Sequence, residues 1–179
     1  MTLALATLTL EAFLAQANLE ESPAWELIDR RKIQKPMPTL FHSRLQRNLV
    51  NWLNAHSEAF EAIQELRCII PPYSPVPDIV AIAHDRLPDQ DEPFHGAPDW
   101  LIEIRSPDHS ALTLQTKILH CLQNGTQSTW LIDLDRQQIW VWAGDDLPNI
   151  YTGGDRLPMP GFDLSLTAAE MFVLAHQRR

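Results

Sequence analysis

The chain has 179 residues, 45% of them hydrophobic, which suits one domain with a proper core and excludes a disordered chain. A formal net charge of −9 argues against a generic polyanion binder, so any nucleic-acid contact would need a local basic surface. The two cysteines, Cys68 and Cys121, lie far apart in apolar surroundings without metal-knuckle spacing, which points to small core residues in a reduced, cytoplasmic protein.

The opening "MTLALATLTLEAFLAQA" superficially resembles a signal peptide, but it lacks a basic leading region and Glu11 interrupts the apolar run. An amphipathic helix from about Thr9, with Leu10, Phe13 and Leu14 on one face, fits better. No segment is long and apolar enough to span a membrane. "SPAWELIDRRKIQKPMP" suggests short extended pieces. A basic group follows in Arg30, Arg31, Lys32, Lys35, Arg44 and Arg47, read first as a solvated face and otherwise as an anion-binding surface.

"TLFHSRLQRNLVNWLNAH" predicts a helix capped by Thr39, with Leu40, Leu45, Leu49, Trp52 and Leu53 as its apolar stripe. "FEAIQELRCII" suits a strand, although its acidic start would also suit a helix. Stiff "PPYSPVP" leads into the buried strand of "DIVAIAH", and "DRLPDQDEPFHG" is a polar loop. "APDWLIEIRS" is the next strand. A helix in "PDHSALTLQTKILHCLQNG" then buries Ala111, Leu114, Ile118 and Leu122 and closes at Gly125.

"STWLIDLDRQQIWVWAG" gives two strands around a tight turn near Asp135 and Arg136. Thr167 and Glu170 stand at capping-box spacing ahead of a final helix. The order predicts a mixed α/β domain around one central sheet. Trp140 and Trp142 either mark a homodimer interface or pack on the C-terminal helix.

Glu103 raises the chemical question. It is the one acid in the apolar strand "WLIEI", a costly position unless something pairs with the carboxylate or binds it. Asp78 opens the strand of "PDIVAI" after Pro77, where turn chemistry is the plain alternative, as it is for Asp99 in "APDW". Lys117 borders the buried stripe of its helix. It can snorkel to solvent or lean over the sheet towards the acids.

Taken together, "PDIVAIAHD", "APDWLIEIRSP", Lys117 in its helix, "NGTQSTWLIDLDRQQIWVW" and "WELIDRRKI" resemble the putative restriction endonuclease domain family. That family is a bacterial branch of the PD-(D/E)XK nuclease superfamily, and the resemblance runs from about residue 9 to residue 172. It implies a single α/β domain over 1–179 with a restriction endonuclease-like core, a mixed central sheet flanked by helices. Residues 39–145 would be the nuclease core, 1–38 an N-terminal elaboration and 146–179 a C-terminal extension.

The resemblance further implies DNA as substrate, with Asp78, Glu103 and Lys117 catalytic. Asp78, Glu103 and the Ile104 carbonyl would hold Mg²⁺, with Mn²⁺ as substitute; hard oxygen ligands suit such ions. The Asp78 strand should pair with the Glu103 strand, and the Lys117 helix should cross that sheet. Without metal, one acid of the close pair should have a raised pKa.

The chain departs from the pattern in two places. Arg105 stands two residues after Glu103, where the superfamily usually has lysine, and a guanidinium cannot act as a base although it can meet phosphate. Thr113 stands one turn before Lys117, where the family commonly has an acid. His42 falls where the family often has histidine, to touch the site or to serve as a packed or capping residue. A metal-dependent endonuclease is the leading expectation, and a catalytically weak or silent binding module is its rival.

Overall fold

Leucines recurring three and four residues apart fold Leu40–Ala55 into a helix, α2, whose first turn is closed by the Thr39 hydroxyl accepting the His42 N–H. The computed structural model describes residues 8–107, 110–144, 147–162 and 165–178. The leader-like pattern of the first seven residues lies outside the described residues. Ahead of α2 stand a short helix α1, Leu10–Leu14, which starts where expected and is capped by Thr9, and an antiparallel hairpin of β1, Trp25–Ile28, with β2, Arg31–Gln34.

After α2 come β3 (Phe60–Gln64), β4 (Cys68–Ile69), β5 (Ile79–Ala83), β6 (Phe94–His95) and β7 (Trp100–Arg105). Helix α3 spans Ala111–Gln123 and is followed by β8 (Ser128–Asp133), β9 (Gln138–Trp142), β10 (Asn149–Tyr151) and α4 (Ala168–His176). Six strands form one mixed sheet in the order β10-β9-β8-β7-β5-β3. Its one parallel pair, β7 with β8, is joined by α3, because parallel neighbours need a crossover. This is the mixed central sheet flanked by helices that the sequence predicts.

Strand alternation sorts the core into two layers. Ile102, Ile104, Ile132 and Ile139 face α2 and α4, where Leu45, Leu49, Leu53 and Met171 complete the packing. Leu101, Val80, Ile82 and Leu131 face Leu114, Ile118 and Cys121 of α3. Each fully buried leucine or isoleucine contributes about 1.5–3 kcal/mol of transfer free energy. Both cysteines are free and buried, and burial pushes the Cys68 thiol up to about 12, so they behave as inert core residues.

The structure corrects several expectations. Leu40 and Ala111 are exposed, so the buried stripes begin at Leu45 and Leu114. The "polar loop" contains a turn of 3-10 helix at His84–Arg86 and the strand β6, which pairs parallel with β4. Trp142 is buried and Trp140 half-buried on the α3 side, whereas α4 meets the opposite side of β9, so neither indole packs on the C-terminal helix. Asp99 is a structural acid: it accepts the Ala83 N–H and pairs with Arg86 at 2.6 Å.

The hairpin β1–β2 is tied to the sheet by polar bonds as well as by packing. Arg67, 3% exposed, donates to the carbonyls of Leu19, Trp25 and Ser74 and to the Ser74 hydroxyl. Ser74 in turn exchanges backbone hydrogen bonds with Leu27. A buried guanidinium satisfied this fully fixes the height of β1 over the sheet, and therefore the position of Glu26.

Candidate active site

β5 and β7 are antiparallel, with Ile79 opposite Ile102 as the last pair in register. One step further along that register Asp78 comes opposite Glu103, where β5 has ended and β7 runs on beside β8 alone. The freed Ile104 N–H is taken by Asp78 Oδ2 at 2.7 Å. Asp78 thus satisfies a backbone donor, the plain alternative the sequence offers, and stands opposite Glu103.

Lys117 is wholly buried and does not snorkel. Its Nζ lies 2.7 Å from Glu26 Oε1 and 2.8 Å from Glu103 Oε1. The first is a hydrogen bond and the second a close ion-pair contact. Glu26 Oε1 also accepts the Val76 N–H at 2.7 Å. Glu103 Oε1 meets the Lys117 ammonium, whereas among the described residues Oε2 of Glu103 and Oε2 of Glu26 have no hydrogen-bond partner. Buried carboxylate oxygens left this way are costly.

A second lysine holds the other acid. Lys35, 6% exposed, donates to Asp78 Oδ1 at 2.8 Å and to the Val76 carbonyl at 2.9 Å. His42 Nε2 stands 3.5 Å from the same Asp78 oxygen, and its Nδ1 lies 3.3 Å from the Ser106 hydroxyl. Gln46 donates to the Asp78 carbonyl at 2.7 Å. His42 therefore touches the site. The basic run divides: Arg30, Arg31 and Lys32 are exposed as a solvated face would be, and Lys35 is not.

These contacts set the acids apart. Burial raises Glu103, and with Asp78 near it the carboxyl reaches about 7, although Lys117 pulls the other way. Burial would raise Asp78 too, but Lys35 and His42 outweigh it and hold the carboxyl well below the usual range. One acid of the pair is thus raised, chiefly by burial and with the neighbouring Asp78 adding to it. Burial lowers the Lys117 value, but the carboxylates of Glu103 and Glu26 outweigh it and keep the ammonium charged.

A small cavity of about 100 Å³ is lined by Asp78, Lys35, His42, Gln46 and Glu65; neither Glu103 nor Lys117 lines it. Arg105 lies apart, paired with Asp133 at 2.6 Å, on a wider cleft of about 470 Å³ that Phe41 and His176 also line. Asp78, Glu103 and Lys117 come together as the sequence suggests. Glu26 and Lys35 complete the set and were not singled out from sequence.

The donor chemistry fits a hard divalent cation: the Asp78 and Glu103 carboxylates come opposite each other on neighbouring strands, and Glu103 Oε2 has no hydrogen-bond partner among the described residues. Among the described residues, however, no three acid, histidine or cysteine side chains converge at ligating spacing. The carboxylates are instead closed on Lys35 and Lys117.

A mixed sheet splayed at β5 and β7 over buried acids and a helix-borne lysine is a nuclease fold of the restriction endonuclease type. The chain matches the Uma2 family model, described as "Putative restriction endonuclease", over residues 10–169. It belongs to that family. A solved structure described as a "putative nuclease belonging to DUF820" from Anabaena variabilis superposes with a TM-score of 0.87 at 36% identity, over 94% of this chain and 99% of that one. No curated protein matched the sequence.

Proposed function

We propose that the chain is a metal-dependent endonuclease that hydrolyses phosphodiester bonds of DNA. The observation that carries this reading is Glu103, a buried acid with one oxygen on the Lys117 ammonium and the other without a partner among the described residues, set opposite Asp78. Family membership and the nuclease-fold neighbour support the same class of reaction. Asp78 and Glu103, with the Ile104 carbonyl, would hold Mg²⁺ or Mn²⁺, whose chemistry when bound is to acidify a water and offset charge on the scissile phosphate.

Lys117 keeps its proton, so its role is that of a fixed cation that orients the attacking water and stabilises developing charge, not that of a base. Glu26 positions Lys117, and His42 positions Asp78 from its place against Ser106. Arg30, Arg31 and Lys32, exposed on the hairpin that carries Glu26, offer the local basic surface that an acidic chain needs to approach DNA. Two free, buried cysteines suit a reducing, cytoplasmic setting.

The rival, a silent binding module, is favoured by one observation: Glu103 and Lys117 are both 0% exposed. Melting temperature with and without Mg²⁺ between pH 5 and 9 separates the two. A working site is stabilised by the ion, most strongly at neutral and higher pH, because protons and metal compete for the same oxygens. The Glu103→Gln variant should lose that shift. No response of the parent at any pH, or an equal response of the variant, assigns the chain to the silent reading.

A further inference from the structure

We infer that Lys35 is a resident counter-ion on Asp78 that competes with a divalent metal and so sets how tightly the site takes one. The inference rests on the metal reading above and concerns a residue outside the acid–acid–lysine set. Three buried carboxylates, Glu26, Asp78 and Glu103, share two buried ammonium groups. Lys117 serves Glu26 and Glu103, and Lys35 serves Asp78.

The two ligand acids therefore stand in different states. Glu103 has Oε2 without a partner among the described residues, whereas Asp78 gives Oδ2 to the Ile104 N–H and Oδ1 to Lys35. A cation that enters on Asp78 meets the Lys35 charge within hydrogen-bond distance of its ligand oxygen. Two like charges that close, in surroundings this poor in water, repel strongly.

The surroundings also show where the ammonium can go. Glu65 Oε1 is 3.7 Å from Lys35 Nζ, beyond a good hydrogen bond, and the Glu65 side chain is 51% exposed. The Lys35 backbone is anchored by its N–H on the Ala24 carbonyl, so its side chain can turn from Asp78 to Glu65 while the chain stays in place. Both carboxylates line the same small cavity, so the exchange requires no crossing of the core. Asp78 Oδ1 then faces only His42 Nε2, at 3.5 Å, among the described residues.

The test is calorimetric titration of the full chain with Mn²⁺ alone, at pH 7.5 and fixed ionic strength, with melting curves to confirm folding. Lys35→Met should bind Mn²⁺ at least about tenfold more tightly than the parent, because one unit charge leaves the neighbourhood of a ligand oxygen. Lys35→Arg keeps the charge and should stay within about threefold of the parent. A merely structural lysine would lower the melting temperature in Lys35→Met without tightening the metal. Parental or weaker Mn²⁺ affinity in a folded Lys35→Met overturns the inference while leaving the metal site intact. No binding by either protein overturns both. Should Lys35→Met fail to fold, Glu65→Gln carries the test. Removing the alternative partner of the ammonium should weaken Mn²⁺ binding by about threefold or more, and unchanged affinity overturns the inference.

Discussion

Replacing Lys117 by alanine is expected to destabilise the fold by about 3–5 kcal/mol, the usual consequence of removing one partner from a buried ion pair. The Lys117 ammonium is the only positive group within 3 Å of Glu26 and Glu103 among the described residues, and all three side chains are 0% exposed. Alanine would also leave a cavity where a long side chain had been. The loss should shrink on acidification, because unpaired buried carboxyls take up protons instead of remaining charged. Urea unfolding of parent and variant at pH 5 and pH 8 measures both effects. A loss below about 1 kcal/mol at pH 8, the scale of an exposed pair, would mean that the triad is solvated.

The second large effect is the pH dependence of the metal-free protein. Glu103 reaches about 7 in the folded chain against an ordinary value of 4.5. Between those values the folded chain holds a proton that the unfolded chain has released, so rising pH works against folding. Above the folded value the penalty is complete; at about 1.4 kcal/mol per pKa unit it amounts to a few kcal/mol.

Asp78 runs the other way. Its folded value is depressed, so its contribution is present above the usual carboxylate range and is lost as pH falls below it. For these two groups together, stability should peak at roughly pH 4 to 5 and decline towards pH 7. Glu103→Gln should flatten the alkaline side and make the variant more stable than the parent above pH 7, since Lys117 keeps its hydrogen bond to Glu26. Denaturant midpoints across pH check this, and parallel profiles for the two proteins would contradict it.

Half of the site was legible in the sequence because its signals are local. A single acid inside "WLIEI" has no other reading that costs nothing, and Lys117 borders a stripe that helical spacing alone defines. Glu26 gives the same signal in "WELI", a lone acid among Trp, Leu and Ile, but in a four-residue strand crowded by Asp29, Arg30 and Arg31 it passes for surface charge. Lys35 has no local signature. It stands in a basic, proline-flanked run, and only the arrival of Asp78 from 43 residues away buries it. The same cause hid β6, two residues whose parallel partner β4 lies far back in the chain. Helices α2 and α4 declare themselves through caps and period, whereas contacts made at long range leave no pattern in the segments that make them.

The most direct test of the site as a nuclease centre is cleavage itself: end-labelled single- and double-stranded DNA of mixed sequence, incubated with parent, Asp78→Asn and Glu103→Gln, with Mg²⁺ or Mn²⁺ and with chelator. The expected result is cleavage by the parent that requires the ion and falls at least about hundredfold in both folded variants, the scale of losing a preorganised catalytic group. Cleavage that survives chelator, or variants that cut as fast as the parent, or a folded parent that binds the ion and cuts neither DNA, would contradict it.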